Sequence, residues 1–308
     1  MSAVIRHILV ALDGSKLAES VLPAAAAMAD GFAAQVTLLH IIEERAPETV
    51  HGQPHLRDAD QAQAYLEEVA RGPVFRDRPV ELHVHRSREG DVADSLMAHA
   101  RELGADLVVL STHGEGGLRR SLFGSIALRA LQRGTTPILL VKPTPEGGAP
   151  PFAPRKILVP LDGMRAHEQA LSIASRLARA WHAALHLVIV VPTAQTLSGQ
   201  EAATGVCMPL AKRALLDLAE QEGSEYLRKL GGGLIMEGVP TTSQVIRGEP
   251  AASVIEAAGK VGADLVVMAT HAKGALDSFW SGSLTPKLME RLGRPLLLVR
   301  AEGEEANR

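Results

Sequence analysis

The sequence predicts an α/β protein built from two repeated, doubly wound domains, each a five-stranded, mostly parallel sheet with helices on both faces. Three observations lead to this. Short apolar, β-rich runs alternate with helical patterns along the chain. Runs such as "DLVVLS" and "LHLVIVV" are apolar at consecutive positions, as expected of strands buried on both faces in a parallel sheet covered by helices. The chain also repeats itself: "RHILVALDGS" at 6–15 returns as "RKILVPLDGM" at 155–164, and "GADLVVLSTHG" at 104–114 returns as "GADLVVMATHA" at 262–272.

In the first copy "HILVAL" is the first strand, followed by a helix over about 15–30 and a second strand, "QVTLLHII". A helix over about 58–71, the strand "VELHVH" and a helix over about 91–103 come next. "DLVVLS", a helix over about 125–133 and "PILLVK" complete the copy. The second copy keeps this order. Its offset grows from 149 at the first repeat pair (6 to 155) to 158 at the second (104 to 262), so residues have been gained in between. The stretch "VPTAQTLSGQEAATGVCMP" reads as a longer loop that accommodates them. Domain one is expected at 1–143 and domain two at 155–302, with a tail at 303–308. The prolines and glycines of "TPEGGAPPFAP", residues 144–154, mark the linker between them.

Composition narrows the function classes. A chain of 308 residues with 46% hydrophobic content supplies two full cores. Its longest apolar runs are too short to cross a bilayer, and its start leads directly into a strand without a separate apolar leader, so a cytoplasmic protein with no membrane partner is expected. Cys207 is the only cysteine, which excludes an internal disulfide and reads as a small apolar filler. A net charge of −3 and 3% aromatic residues argue against a nucleic-acid partner. No nucleophile elbow, Walker lysine or pair of catalytic carboxylates occurs in a convincing context, so no catalytic residue is assigned.

Ligands of doubly wound sheets sit at the carboxyl ends of the strands, near the switch in strand order. After the first strand comes Asp13, which reads equally as the N-cap of the following helix and as an acceptor for a ligand's base or sugar. After the fourth strand, "THGEGGLRRSLFGS" offers Gly114, Gly116 and Gly117, where backbone approaches an anion closely, then Gly124-Ser125 at the start of a helix. Arg119 and Arg120 add positive charge. The alternative is a glycine loop with a serine N-cap and solvated arginines.

These residues resemble the universal stress protein family in its tandem form. Nucleotide-binding members carry G-x2-G-x9-G-[ST] after the fourth strand and an aspartate at the end of the first. Here Ser111 stands at the first glycine, followed by Gly114 and Gly124-Ser125. The resemblance implies an adenine nucleotide alpha hydrolase-like fold that binds ATP or a related adenine nucleotide, with or without Mg2+. It places Ala11, Leu12 and Asp13 by the adenine and ribose, and Ile41 against the adenine. Leu110 and Ser111 then line the cleft, His113 and Gly114 lie near ribose or phosphate, and Gly124, Ser125, Ile126 and Ala127 surround the phosphates. It also implies that the last strands, "PILLVK" and "PLLLVR", are edge strands of the kind that pair across a dimer interface. An internal pseudo-dimer of the two domains is expected on that basis, with a homodimer of the chain as a further arrangement.

The second copy departs from the pattern. Ala269 and Ala272 occupy both early glycine positions, and Asp277 and Ser278 replace the arginine pair, although Gly282-Ser283 remains. An aspartate beside a triphosphate repels it. Asp162 and Val190 still match Asp13 and Ile41, so the expectation is one good site in the first domain and a degenerate second one. The leading function is a binding module of the stress response. A nucleotide-free interaction module and a weak ATPase are the alternatives.

Two histidine groups compete for attention. His83 and His85 share a strand face, with His51 and His55 in a preceding loop; they read as an exposed face and a loop rather than a metal site, and no metal is expected. His113 and His271 recur at equivalent points, as a general base or as a structural hydrogen-bond donor.

Overall fold

The computed structural model describes residues 5–44, 48–50, 53–112, 125–191, 193, 209–270 and 284–301. The chain divides into two compact units, one of residues 1–153 with 293–300 and one of residues 154–292 with 301–308.

The first unit contains β1 (His7–Ala11), α1 (Leu22–Phe32), β2 (Gln35–Glu43), β3 (Thr49–Val50), β4 (Gln53–Pro54), α2 (Ala59–Arg71) and β5 (Val80–Glu89). It continues with α3 (Val92–Glu102), β6 (Leu107–Ser111), α4 (Ser125–Arg133) and β7 (Ile138–Val141). Its five long strands run parallel in the order β7-β6-β1-β2-β5. The chain therefore builds outward from β1 through β2 and β5, then crosses back to β6, so the switch in strand order falls between β1 and β6. The strand Leu296–Arg300, called β12 below, extends this sheet antiparallel to β7, with Leu296, Leu297 and Leu298 opposite Leu140, Leu139 and Ile138. The sheet is thus mixed. It is buried on both faces at its centre, where Ile8, Leu9, Leu107, Val108, Ile138 and Leu139 have no exposed surface.

Helix starts follow local chemistry. Asp58 caps α2 by accepting the N–H groups of Asp60 and Gln61, and Asp91 caps α3 through those of Ala93 and Asp94. The helix expected from residue 15 begins later. A 3-10 turn occupies Ala18–Val21 and passes directly into α1, so Asp13 does not serve as the N-cap. It is Ser15 whose hydroxyl accepts the Ala18 N–H at 3.1 Å, while the Asp13 carboxylate turns back to the Ser15 N–H at 2.8 Å. The small hairpin of β3 and β4 has no counterpart in the strand pattern read from the sequence.

The second unit contains β8 (Lys156–Leu161), α5 (Gln169–Trp181), β9 (Ala184–Val191), α6 (Pro209–Met236), β10 (Thr241–Arg247), α7 (Pro250–Val261), β11 (Leu265–Thr270) and α8 (Leu284–Arg291). Its strands pair in parallel in the order β10-β9-β8-β11. The duplication extends to individual bonds. Asp106, from the first "GAD", accepts the N–H groups of Arg6 and His7 at 2.8 and 3.1 Å, and Asp264, from the second, accepts those of Arg155 and Lys156 at 2.8 and 3.0 Å. Each aspartate ties the start of its unit's first strand to the start of the neighbouring strand.

Candidate functional site

A cavity of about 120 Å3 opens at the carboxyl ends of β1, β2 and β6, beside the switch in strand order. That is on the order of ten times the space one water needs. The structure gathers Ala11, Leu12, Asp13, Ile41, Leu110, Ser111, Ile126 and Ala127 around it, from four separate stretches of chain. Ser125, the first residue of α4, immediately precedes the last two. Val92 and Leu96 of α3 close the apolar side. His113, Gly114, Gly116, Gly117, Arg119, Arg120 and Gly124 lie outside the described residues.

The turn that delivers Asp13 needs glycine. Gly14 has φ +90°, and a Cβ there would press on the Leu56 side chain at 2.8 Å. Ser111, at the position where the family pattern has glycine, uses its hydroxyl internally. It donates to the Leu17 carbonyl at 3.0 Å, and the Ser20 hydroxyl lies 3.2 Å from it. The serine thus fastens the end of β6 to the turn after β1.

His40 escaped the sequence reading. It sits at the carboxyl end of β2, lines the cavity and is only 1% exposed. Its Nδ1–H donates to the Leu12 carbonyl at 2.8 Å, fixing the peptide that leads into Asp13. A carbonyl can only accept, so the neutral ring carries its proton on Nδ1 and its lone pair on Nε2, which is buried without a hydrogen-bond partner among the described residues. Burial holds the His40 pKa below the ordinary histidine value, and nearby His55 adds to this against the opposing pull of the Leu12 carbonyl and Asp13. The available signal was a lone histidine inside the otherwise apolar run "QVTLLHII".

The second unit treats the matching positions differently. Asp162 accepts the Met164 N–H at 3.0 Å and the His167 Nδ1–H at 2.7 Å, with both side chains of the pair less than a tenth exposed. Counting back by 149, His167 corresponds to Ala18, which lines the cavity of the first unit. The aspartate that faces a cleft in one unit is engaged by a histidine in the other. Ala11 is matched by Pro160, which has no N–H to donate, and Val190, the counterpart of Ile41, is 3% exposed. Ala272, Asp277, Ser278, Gly282, Ser283 and His271 lie outside the described residues, as does Cys207.

The histidines considered as a metal group separate. His55 is buried beside Glu43, with Nε2 3.7 Å from Oε1, and lines the cavity. His83 and His85 on β5 meet His99 of α3 instead, each ring centroid 4.7 Å from that of His99. His51 lies outside the described residues. The His99 Nε2 and His85 Nδ1 atoms face each other at 2.8 Å and share a proton, so their lone pairs do not converge on an open position. Among the described residues no group of three or more His, Cys, Asp or Glu side chains is arranged to hold a metal ion. Nor is any helix among them long and apolar enough to cross a membrane.

Comparison with known proteins agrees with the duplicated architecture. A universal stress protein of Methanocaldococcus jannaschii is 26% identical over 151 residues, covering 49% of this chain and 85% of that protein. A universal stress protein of Bacillus subtilis is 27% identical over 143 residues, covering 44% of this chain and 97% of that protein. Over nearly the whole chain, the fold is similar to the crystal structure of a universal stress protein from Archaeoglobus fulgidus. The TM-score is 0.67 at 15% identity, with 96% of this chain and 98% of that one covered. A Pseudomonas aeruginosa protein of unknown function superposes with a TM-score of 0.69 at 18% identity, covering 97% of this chain and 94% of that one. The universal stress protein family model matches residues 5–142 and again residues 154–300, so this chain belongs to the universal stress protein family as a tandem of two copies.

Proposed function

We propose that the chain is a regulatory binding module of the stress response whose first unit holds an adenine nucleotide, ATP or a close relative. One observation carries the reading: the cavity at the β1/β6 switch collects, from stretches far apart in sequence, the side chains suited to a flat base and a sugar. Leu12, Ile41, Leu110 and Ala127 offer apolar surface to the base, and the Asp13 carboxylate offers an acceptor to the ribose hydroxyls. Phosphates would run toward the start of α4, where unpaired N–H groups suit an anion, and Mg2+ would accompany them. The second unit binds more weakly or not at all, since Asp162 is already held by His167. A cytoplasmic setting and an internal pseudo-dimer of the two copies, with a homodimer of the chain beyond it, belong to the same proposal. No observation favours an ATPase or a nucleotide-free module over it.

Thermal melting of the purified protein with and without ATP and Mg2+ tests this. A ligand at one hundred times its Kd adds about 2.7 kcal/mol to the stability of the unit that binds it. Gly124→Leu should remove the stabilisation, and Gly282→Leu should leave it. Absence of any shift at millimolar nucleotide, with none carried through purification, sinks the reading; greater loss in the Gly282 variant overturns the asymmetry.

A further inference from the structure

The first unit holds a second cavity, of about 460 Å3, which falls within the range of roughly 300–1,000 Å3 typical of small-molecule sites. One side is formed by Lys16, Glu19 and Ser20 of the turn after β1, whose Asp13 and Ala18 line the first cavity. Tyr65 and Glu68 of α2 form another side, and Gly147 to Ala149 of the linker a third. We propose that this cavity binds a small organic cation, a primary ammonium group carried on a short apolar body.

The charges around the cavity select the sign. Two carboxylates, Glu19 and Glu68, face one ammonium, that of Lys16. Lys16 shows the chemistry Glu19 accepts: its Nζ lies 2.9 Å from both carboxylate oxygens. The two partners differ in how they are held, because the Lys16 side chain is 70% exposed and that of Glu19 only 18%. Glu19 is the fixed element, and Lys16 is an exposed group that can return to water when another ammonium takes its place, since exposed pairs of this kind contribute little. Tyr65 reports the same field. Burial and the charges of Glu19, Asp13 and Glu68 push its pKa far above the ordinary tyrosine value, so it stays protonated. Its hydroxyl is shielded from solvent, and its interaction with the Glu19 carboxylate adds to that shift, so the phenol is a neutral group at the foot of the carboxylate rather than a competing charge. Leu22, Pro23 and Val69 supply the apolar wall for the ligand's body.

The full chain, without nucleotide, is titrated with n-butylammonium chloride at constant ionic strength, with 1-butanol and sodium butyrate as the neutral and anionic probes. Melting temperature and calorimetric heat are the readouts. A saturable rise with butylammonium, absent with the other two, is expected. Glu19→Gln should weaken it at least tenfold, while Glu256→Gln, at an exposed position of α7 in the second unit, should not. Ala149→Trp fills the exposed rim without touching the carboxylates and should block binding even if the Glu19 variant fails to fold. Equal response to butanol, no saturable response to butylammonium, or wild-type binding by both Glu19→Gln and Ala149→Trp would overturn the proposal. Nucleotide binding at the first cavity does not enter any of these outcomes.

Discussion

Mild acid should weaken the first unit through His40, and the size of the effect follows from its surroundings. The ring is 1% exposed, its one donated proton goes to the Leu12 carbonyl, and its second nitrogen has no partner among the described residues. Protonation would place a charge and a further N–H in that space, and burial accordingly lowers the pKa of His40 in the folded protein. The unfolded chain takes up its proton first as pH falls through about 6.5. The contribution of His40 is therefore complete above that pH and is lost below it, until the folded state protonates as well. While only the unfolded state is protonated, the loss approaches about 1.4 kcal/mol per pH unit for this one proton. His40→Asn keeps an N–H for the Leu12 carbonyl and removes the titration. Urea unfolding followed by circular dichroism at pH 7.5, 6.5 and 5.5 should show wild type losing more stability than the variant over the lowest step, by at most roughly 1 kcal/mol. His99 and His186, whose pKa values burial also lowers, titrate in both proteins and cancel in the difference. Superimposable pH profiles for the two proteins would refute the reasoning.

Two further outcomes follow from the duplicated bonds and from their one asymmetry. Asp106→Ala and Asp264→Ala each remove a carboxylate that accepts two backbone N–H groups, so both should cost about 2–4 kcal/mol in urea unfolding. A loss below about 0.5 kcal/mol in either would show that the bond is not sustained in solution. Asp162→Ala removes the buried acceptor of the His167 Nδ1–H and of the Met164 N–H and should destabilise by about 2–3 kcal/mol, whereas Asp13→Ala should cost about 1 kcal/mol and act mainly on nucleotide affinity. Calorimetric titration beside the unfolding series separates the two effects, and equal stability losses with unchanged affinity would remove the distinction between the units.

Much of the site's location was legible from local patterns. Consecutive apolar runs identify strands, a repeat identifies the duplication, and helical patterns locate α2 and α3, whose starts the structure shows to be capped by Asp58 and Asp91. All of these depend on neighbours within a few positions. The residues that line the cavity, from Ala11–Asp13 to Ile126–Ala127, lie together because the carboxyl ends of parallel strands converge wherever the strand order switches. Asp13 as a helix cap failed on the same local ground, since Ser15 stands closer to the helix start and captures its first N–H.

The sequence by itself determined the two copies, their alternating strands and helices, and the strand ends that line the cavity. Only the tertiary structure decided how each polar side chain there is spent. His40 reaches Leu12 across 28 residues and Ser111 reaches Leu17 across 94, distances over which periodicity carries no information. The pairing of Leu296–Leu298 with Ile138–Leu140 in the first unit's sheet was implied by the family resemblance, but its antiparallel register is given by the structure alone. At the second copy's aspartate, five residues separate Asp162 from His167, yet the sequence did not show that they meet. The turn between them had to bring a histidine onto the carboxylate, where the first copy has Ala18 at the matching position.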